Sequence, residues 1–249
     1  MKLGIGLLTY ERPELLRATI ATLWPHLAAQ SVELSAVILD NGSSATTLVQ
    51  VQAAAASIGA RLKRRLAGPL ALTDDPVERD QRIAAGFAAL AAALLDTDCT
   101  HALLVEDDWE CIAAPPLAAL AAVFDARPGL GQIRLRECRY DSGLDGYSAR
   151  NFVTRRPIVF DTSHAAGCHV VDEGELHWTN NPSLIRRATL DILRTGASSE
   201  IETMHAFWRR HPRNGQLRPG VFLHRGPFRR RPDLEVAGVF RPPASAMRP

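Results

Sequence analysis

Three adjacent carboxylates, Glu106, Asp107 and Asp108, end a short apolar run in the stretch THALLVEDDWE. Residues 102–105 read as a buried strand, which cannot continue into a core once the acids begin, because unpaired carboxylates are very costly to bury. The acids therefore mark a strand end. In open α/β sheets the crevice beyond the carboxyl ends of the strands is where ligands bind. Clustered acids there suit a hard divalent cation, Mg²⁺ or Mn²⁺, held by one or two protein carboxylates and by water and substrate phosphates. A diphosphate is the natural guest. A merely solvated acidic turn has the same composition, so the neighbouring elements have to decide.

The elements that position those acids come first in the chain. Residues 3–9 form a continuous apolar strand, broken by Tyr10-Glu11-Arg12-Pro13 before the spacing of Leu15, Leu16, Ile20 and Leu23 predicts a helix. Pro13 suits a first helical turn, where its missing N–H would have had no partner. A second buried strand over 34–39 ends in Asp40-Asn41-Gly42-Ser43. Strand, helix and strand make a right-handed βαβ unit with both strand ends on one edge, so Thr9 and Asp40 are expected to be neighbours. Asp40 could accept from a ribose hydroxyl or from the N3–H of uracil, or could cap its own turn. A helix over 48–58, a short strand over 60–66 and an alanine-rich helix within 77–95 return the chain to the acidic strand. Arg82, near the start of that last helix, either faces a phosphate or base or is an exposed helical arginine.

Beyond residue 115 the expected elements are a helix over 117–124, a strand over 130–135, and short strands over 158–161 and 168–172. Arginines and acids interleave in the polar stretch 137–150, which reads as a loop or edge hairpin. Glu200-Ile201-Glu202 opens a helix running to Arg210, with Ser198 or Ser199 as its cap. A strand over 221–223 leads into His224-Arg225-Gly226 and three further arginines.

Composition limits the classes. With 249 residues, 46% of them hydrophobic, the chain is long enough for one large core. A net charge of +2 speaks against general nucleic-acid or membrane-surface binding. Cys99, Cys111, Cys138 and Cys168 form no CxxC pair, so neither a zinc site nor a disulfide framework is signalled and a reducing cytoplasm fits. The apolar stretch 3–8 is too short for a signal-peptide core, and no transmembrane run occurs. A cytoplasmic location is the expectation.

Taken together, LGIGLLTYERPELLRATIATL, AVILDNGSS and HALLVEDDWE, in that order and spacing, resemble the N-terminal half of a family 2 glycosyltransferase of the GT-A fold. The first matches that family's strand, TYNRP and helix opening, with Glu11 where Asn is common. The second matches its strand ending in an Asp-Asp/Asn-Gly-Ser turn, and the third its metal-binding DXD motif, with Glu106 in place of the usual first Asp. The resemblance implies an α/β chain forming a single GT-A (Rossmann-like) domain over 1–232, a mostly parallel central sheet flanked by helices. Its nucleotide-binding half would be 1–112 and its acceptor half 113–232, with a tail over 233–249.

It further implies Mn²⁺ or Mg²⁺ as cofactor, a nucleotide diphosphate sugar donor, UDP-linked, and an acceptor (glycan, lipid or small molecule) that the sequence does not identify. Thr9, Tyr10 and Arg12 would line the nucleotide pocket and Asp40 would contact base or ribose. Asp108 is the first choice as metal ligand, with Asp107 and Glu106 serving ribose, donor sugar or metal-bound water. His224 resembles the C-terminal histidine that some GT-A enzymes bring back to the metal, and Arg225 opens an arginine run suited to clamping a diphosphate. Trp178 would wall a sugar ring or pack in the core. In inverting relatives an acid at such a helix start is the general base, which falls here on Glu202 or Glu200. Two other readings stand beside this one: a metal-dependent phosphohydrolase or nucleotidyltransferase, and a non-catalytic GT-A-like nucleotide-binding module.

Overall fold

The computed structural model describes residues 1–65, 76–137, 168–171, 182–195, 200–211 and 213–225. In chain order these form β1 (Lys2–Thr9), α1 (Pro13–Ala28), β2 (Glu33–Asp40), α2 (Ala45–Ser57), β3 (Arg61–Arg64), α3 (Pro76–Leu95), β4 (His101–Glu106) and β5 (Trp109–Cys111). They continue with α4 (Leu117–Ala126), β6 (Leu130–Arg134), β7 (Cys168–Val171), β8 (Ser183–Arg186), α5 (Arg187–Arg194), α6 (Glu200–Arg210), β9 (Arg213–Leu217) and β10 (Phe222–His224).

Eight strands make one sheet in the order β3-β2-β1-β4-β8-β6-β9-β7. β3, β2, β1 and β4 are parallel throughout, β8 runs against β4 and β6, β9 runs with β6, and β7 runs against β9. The sheet is therefore mostly parallel, as expected, with β8 and β7 reversed. β5 and β10 form a separate antiparallel ribbon at its carboxyl edge. The sequence reading did not anticipate β5 or β9. Its strand over 158–161, and Trp178 with its loop, lie outside the described residues.

The opening LGIGLL explains how β1 sits between two layers. Leu3, Ile5 and Leu7 join one buried cluster with Leu16, Leu23, Val51 and Phe124, beneath α1, α2 and α4. The alternate positions, Gly4, Gly6 and Leu8, turn to the other face, where α3, α5 and α6 supply Phe87, Leu90, Leu94, Leu190 and Phe207. A methyl group at Gly6 would lie 2.9 Å from Leu94 Cδ1, so the small residues let α3 close onto the sheet. Both faces of β1 and β4 are thereby buried, which is why their sequences are continuously apolar rather than alternating.

The register bears out the predicted neighbours: Thr9 pairs with Asp40, and Leu8 with Glu106. The ends of β1, β2 and β4 thus share one edge. The C-terminal end of the described chain comes back to that edge through Gly220, where a Cβ would stand 2.2 Å from the Arg136 carbonyl. Only glycine allows that close crossing. Val221 N–H then donates to the Leu135 carbonyl, and β10 pairs with β5 so that His224 lies opposite Trp109.

Candidate functional site

The turn after β4 is held from below by α1. The Thr19 hydroxyl, wholly buried, lies 2.8 Å from the Asp107 carbonyl and 2.7 Å from that of Trp109, while Thr22 Oγ1 accepts from Cys111 N–H. These two threonines, one helical turn apart, fix the acidic turn and β5 as a unit. They are residues the sequence reading did not single out, since threonine on an apolar helix face has no pattern that separates it from ordinary core.

The three acids of the turn have different surroundings. Asp107 is completely buried and points inward: its Oδ2 accepts from Thr9 Oγ1 at 2.7 Å, and its Oδ1 lies 2.5 Å from an Arg12 terminal nitrogen. Burial pushes its carboxyl up to about 6, against the opposing pull of Arg12 and Thr9. Asp108 points outward at 13% side-chain exposure, with Oδ2 2.9 Å from the other Arg12 terminal nitrogen and 3.4 Å from His224 Nε2. Burial works to raise its carboxyl, but the hydrogen bond from His224 and the charge of Arg12 prevail and hold it below the usual carboxylate range. Glu106, half-buried at the end of β4, adds to the negative field that keeps Arg12 charged against its own burial. Arg12 occupies the cap position of α1 and spans both aspartates.

His224 closes the site from the ribbon. Its ring meets Trp109 edge-on with centroids 5.0 Å apart, and the next residue's N–H, that of Arg225, donates to the Asp108 carbonyl at 2.7 Å. The Arg225 guanidinium is paired bidentately with Glu110, at 3.0 and 3.2 Å. In this arrangement it braces the ribbon, and reaching a diphosphate would require it to leave Glu110. The arginines at 229–231 lie outside the described residues.

A divalent cation fits this edge. Two donors bound at right angles to such a cation at about 2.1 Å stand about 3 Å apart, close to the separation of Asp108 Oδ2 and His224 Nε2. One carboxylate oxygen and one imidazole nitrogen suit Mn²⁺ better than Mg²⁺. Among the described residues no three metal-ligating side chains come together, so phosphate and water would supply the remaining ligands.

Beside Thr9 on the same edge lies the end of β2. Asp40 is fully buried; both its carboxylate oxygens face the Ser43 N–H at 3.2 Å, and Arg64 Nε stands 3.5 Å from Oδ2. Arg64 also donates to the Ser43 carbonyl at 2.8 Å and keeps 37% side-chain exposure, so it is the accessible member of this cluster. The sequence reading missed Arg64, because its place depends on the β2–β3 register that sets it opposite Asp40. Tyr10 is half-buried nearby; burial and the charges of Glu11 and Asp40 raise its hydroxyl pKa, with Arg82 opposing. Arg82 pairs with Glu78 at 2.6 Å on α3, and its carbonyl accepts from Asn41 Nδ2 at 3.2 Å.

Glu200 and Glu202 lie in the first turn of α6. β6 and β9 run in the direction of β4, so the start of β9 lies at the amino edge of the sheet, where His211 abuts Gly131. α6 ends at that edge, with Phe207 packed in the cluster beneath α3 and α5. Glu202 is exposed. The proposed capping serines, Ser198 and Ser199, lie outside the described residues.

No protein-family model matches the chain, and no curated protein does. Solved structures do match. S. aureus TarS (residues 1–349) superposes with a TM-score of 0.50 at 16% identity, covering 89% of this chain and 60% of that one. The mannosyltransferase PcManGT from Pyrobaculum calidifontis, solved with GDP-Man and Mn²⁺, superposes with a TM-score of 0.56 at 13% identity, covering 92% and 58%. The chain spans about three fifths of the length of each. The likeness is one of fold: this chain has the GT-A fold, in accord with the resemblance read from its three N-terminal motifs. No helix among the described residues is long and apolar enough to cross a membrane.

Proposed function

We propose that this GT-A chain transfers a sugar from a nucleotide diphosphate sugar to an acceptor hydroxyl with the help of a divalent cation. The observation that carries the reading is the convergence of Thr9, Arg12, Asp107, Asp108 and His224, from β1, the β4 turn and β10, on one carboxyl edge. Asp108 and His224 would hold the cation, which supplies charge neutralisation for the leaving diphosphate. A neighbour of the same fold was solved with GDP-Man and Mn²⁺, which supports a nucleotide sugar and Mn²⁺ as the pair to test first.

The chain's own residues then divide the work. Arg12 stays charged between Asp107 and Asp108 and presents a guanidinium to anionic groups entering the crevice. Asp40, wholly buried and accepting from the Ser43 N–H, caps its own turn and holds Arg64, whose exposed guanidinium offers donors to a base carbonyl. UDP and GDP both carry such a carbonyl, and UDP, the nucleotide that the N-terminal motifs suggest, is the first to test. Glu202 on α6 takes the proton from the acceptor hydroxyl, with Glu200 as the other candidate, and attack from the face opposite the diphosphate inverts the anomeric carbon. Arg225 joins the diphosphate only by exchanging Glu110 for it.

The test is calorimetric titration of UDP, GDP and ADP into the protein with and without Mn²⁺, followed by an assay of nucleoside diphosphate release. Mn²⁺-dependent binding of UDP, and release that rises with added acceptors, support transfer. Acceptor-independent cleavage assigns the site to phosphohydrolysis instead. Binding without turnover of any donor makes the chain a nucleotide-binding module, and no binding of any nucleotide overturns the reading.

A further inference from the structure

Glu11 stands in the middle of the crevice wall with φ of 53°, a left-handed backbone that glycine and asparagine adopt far more readily than glutamate. Its carboxylate does not face the acids. It reaches across to the turn between β2 and α2, where it accepts from the Ser44 backbone N–H, from Ser44 Oγ at 3.2 Å and from Thr47 Oγ1 at 2.6 Å. Its own backbone N–H donates to Ser43 Oγ at 2.8 Å. Four contacts from one residue thus join the turn after β1 to the turn after β2. The side chain sits at the amino end of α2, where Ser44 is the cap, so a carboxylate is also favoured there by the helix dipole.

Both ends of the candidate site hang on this joint. Ser43, bonded to Glu11, is also the residue whose N–H serves Asp40 and whose carbonyl holds Arg64. Arg12, the next residue after Glu11, is the one that spans Asp107 and Asp108. A left-handed residue between Tyr10 and Arg12 turns the chain sharply, and the carboxylate contacts hold that turn.

We propose that Glu11 is a positioning residue that locks the two walls of the nucleotide crevice together, so that Arg12 meets the acidic turn, and Arg64 meets the base, in fixed orientation. The proposal rests on the nucleotide-binding reading above but adds a residue that touches no ligand. It accounts for a costly backbone at a position where a glutamate's reach is the one property that asparagine or glycine would lack.

The test compares Glu11→Ala, Glu11→Gln and Arg12→Ala, singly and combined, with two readouts. The first is UDP affinity in the presence of Mn²⁺. Glu11→Ala is expected to weaken it about tenfold, the usual scale for losing a group that orients a ligand-binding residue, and Glu11→Gln to recover most of that loss through its remaining acceptor. In the Arg12→Ala background the Glu11→Ala effect should shrink to about threefold, the part that still runs through Ser43 and Arg64. The second readout is amide hydrogen exchange at Ser43 and Ser44, which needs no nucleotide: it should quicken in Glu11→Ala while the core strands keep their protection. Unchanged exchange at those two amides overturns the clamp, and so does an affinity loss that simply multiplies with that of Arg12→Ala. If the wild-type protein binds no nucleotide, the functional reading fails and the exchange result alone decides whether the clamp stands.

Discussion

Thr9 and Asp107, 98 positions apart in sequence, meet in the interior, where the threonine hydroxyl donates to the aspartate carboxylate at 2.7 Å. Neither residue reaches solvent to any useful extent. The central acid of the motif is therefore an internal tie between β1 and the turn after β4, while its neighbour Asp108 points outward.

That division predicts how Thr9→Val behaves. The substitution keeps the shape but takes the hydroxyl donor from a buried carboxylate that the Tyr10 backbone N–H still serves, which costs about 1 to 2 kcal/mol. Urea unfolding should register the loss in the metal-free protein. Mn²⁺-dependent nucleotide binding at saturating protein stability should change little, and a large affinity loss without a stability change would place Thr9 in direct ligand contact instead.

Asp108→Asn should do the reverse. The residue points outward and Arg12 retains Asp107, so the fold should persist with a stability change within about 1 kcal/mol. Titration of UDP with and without Mn²⁺ should then give the same affinity, the enhancement by metal having been lost. His224→Ala is expected to reduce the enhancement without abolishing it, because the carboxylate remains. A variant Asp108→Asn that still binds UDP more tightly with Mn²⁺ would move the cation to other residues.

Why some of this was legible in the sequence, and some was not, follows from the range of the interactions. The apolar runs of β1, β2 and β4 are buried on both faces, so each strand shows itself locally, and the shared edge of Thr9 and Asp40 follows from the handedness of a βαβ unit. The acids show themselves because charge ends an apolar run. Arg64 and Thr19 carry no such local mark: one depends on the register of β3 against β2, the other on which face of α1 meets the turn. β5 is three residues long and its partner β10 lies more than a hundred residues on, so no local periodicity could announce the ribbon. Arg225 was readable as a phosphate ligand only because its partner Glu110 is equally distant in sequence.

The Glu11 contacts also predict a pH dependence of stability. Hydrogen bonds from Thr47 and Ser44 outweigh burial and hold its carboxyl below the ordinary glutamate value of 4.5. The folded state therefore binds this proton less readily than the unfolded chain. The contribution is fully present above the unfolded value and is lost as pH falls through the lower folded one. Compared by urea unfolding, wild type should exceed Glu11→Gln in stability at about pH 6, and the gap should narrow by about pH 3. A gap that stays constant, or widens in acid, would mean that the charge of Glu11 has no part in the joint.

The base is the last assignment to be tested, and it separates two glutamates by position on one helix. Residues two apart on an α-helix are turned by about 200°, so positions 200 and 202 cannot address the same point. Glu202, in the first turn of α6, is exposed, whereas a residue at the very start of the helix lies beside the free N–H groups that a capping acid serves. A general base has to come within hydrogen-bond reach of the acceptor hydroxyl in the reactive complex. Glu202→Gln should therefore lower kcat by about 10² to 10⁴ while leaving Mn²⁺-dependent UDP binding intact. Glu200→Gln should instead cost about 0.5 to 1 kcal/mol of stability with kcat nearly unchanged. Steady-state kinetics and urea unfolding of the two variants side by side distinguish the outcomes. A reversed pattern makes Glu200 the base, and full turnover in both variants removes base catalysis from α6 and with it the inverting mechanism proposed for this crevice.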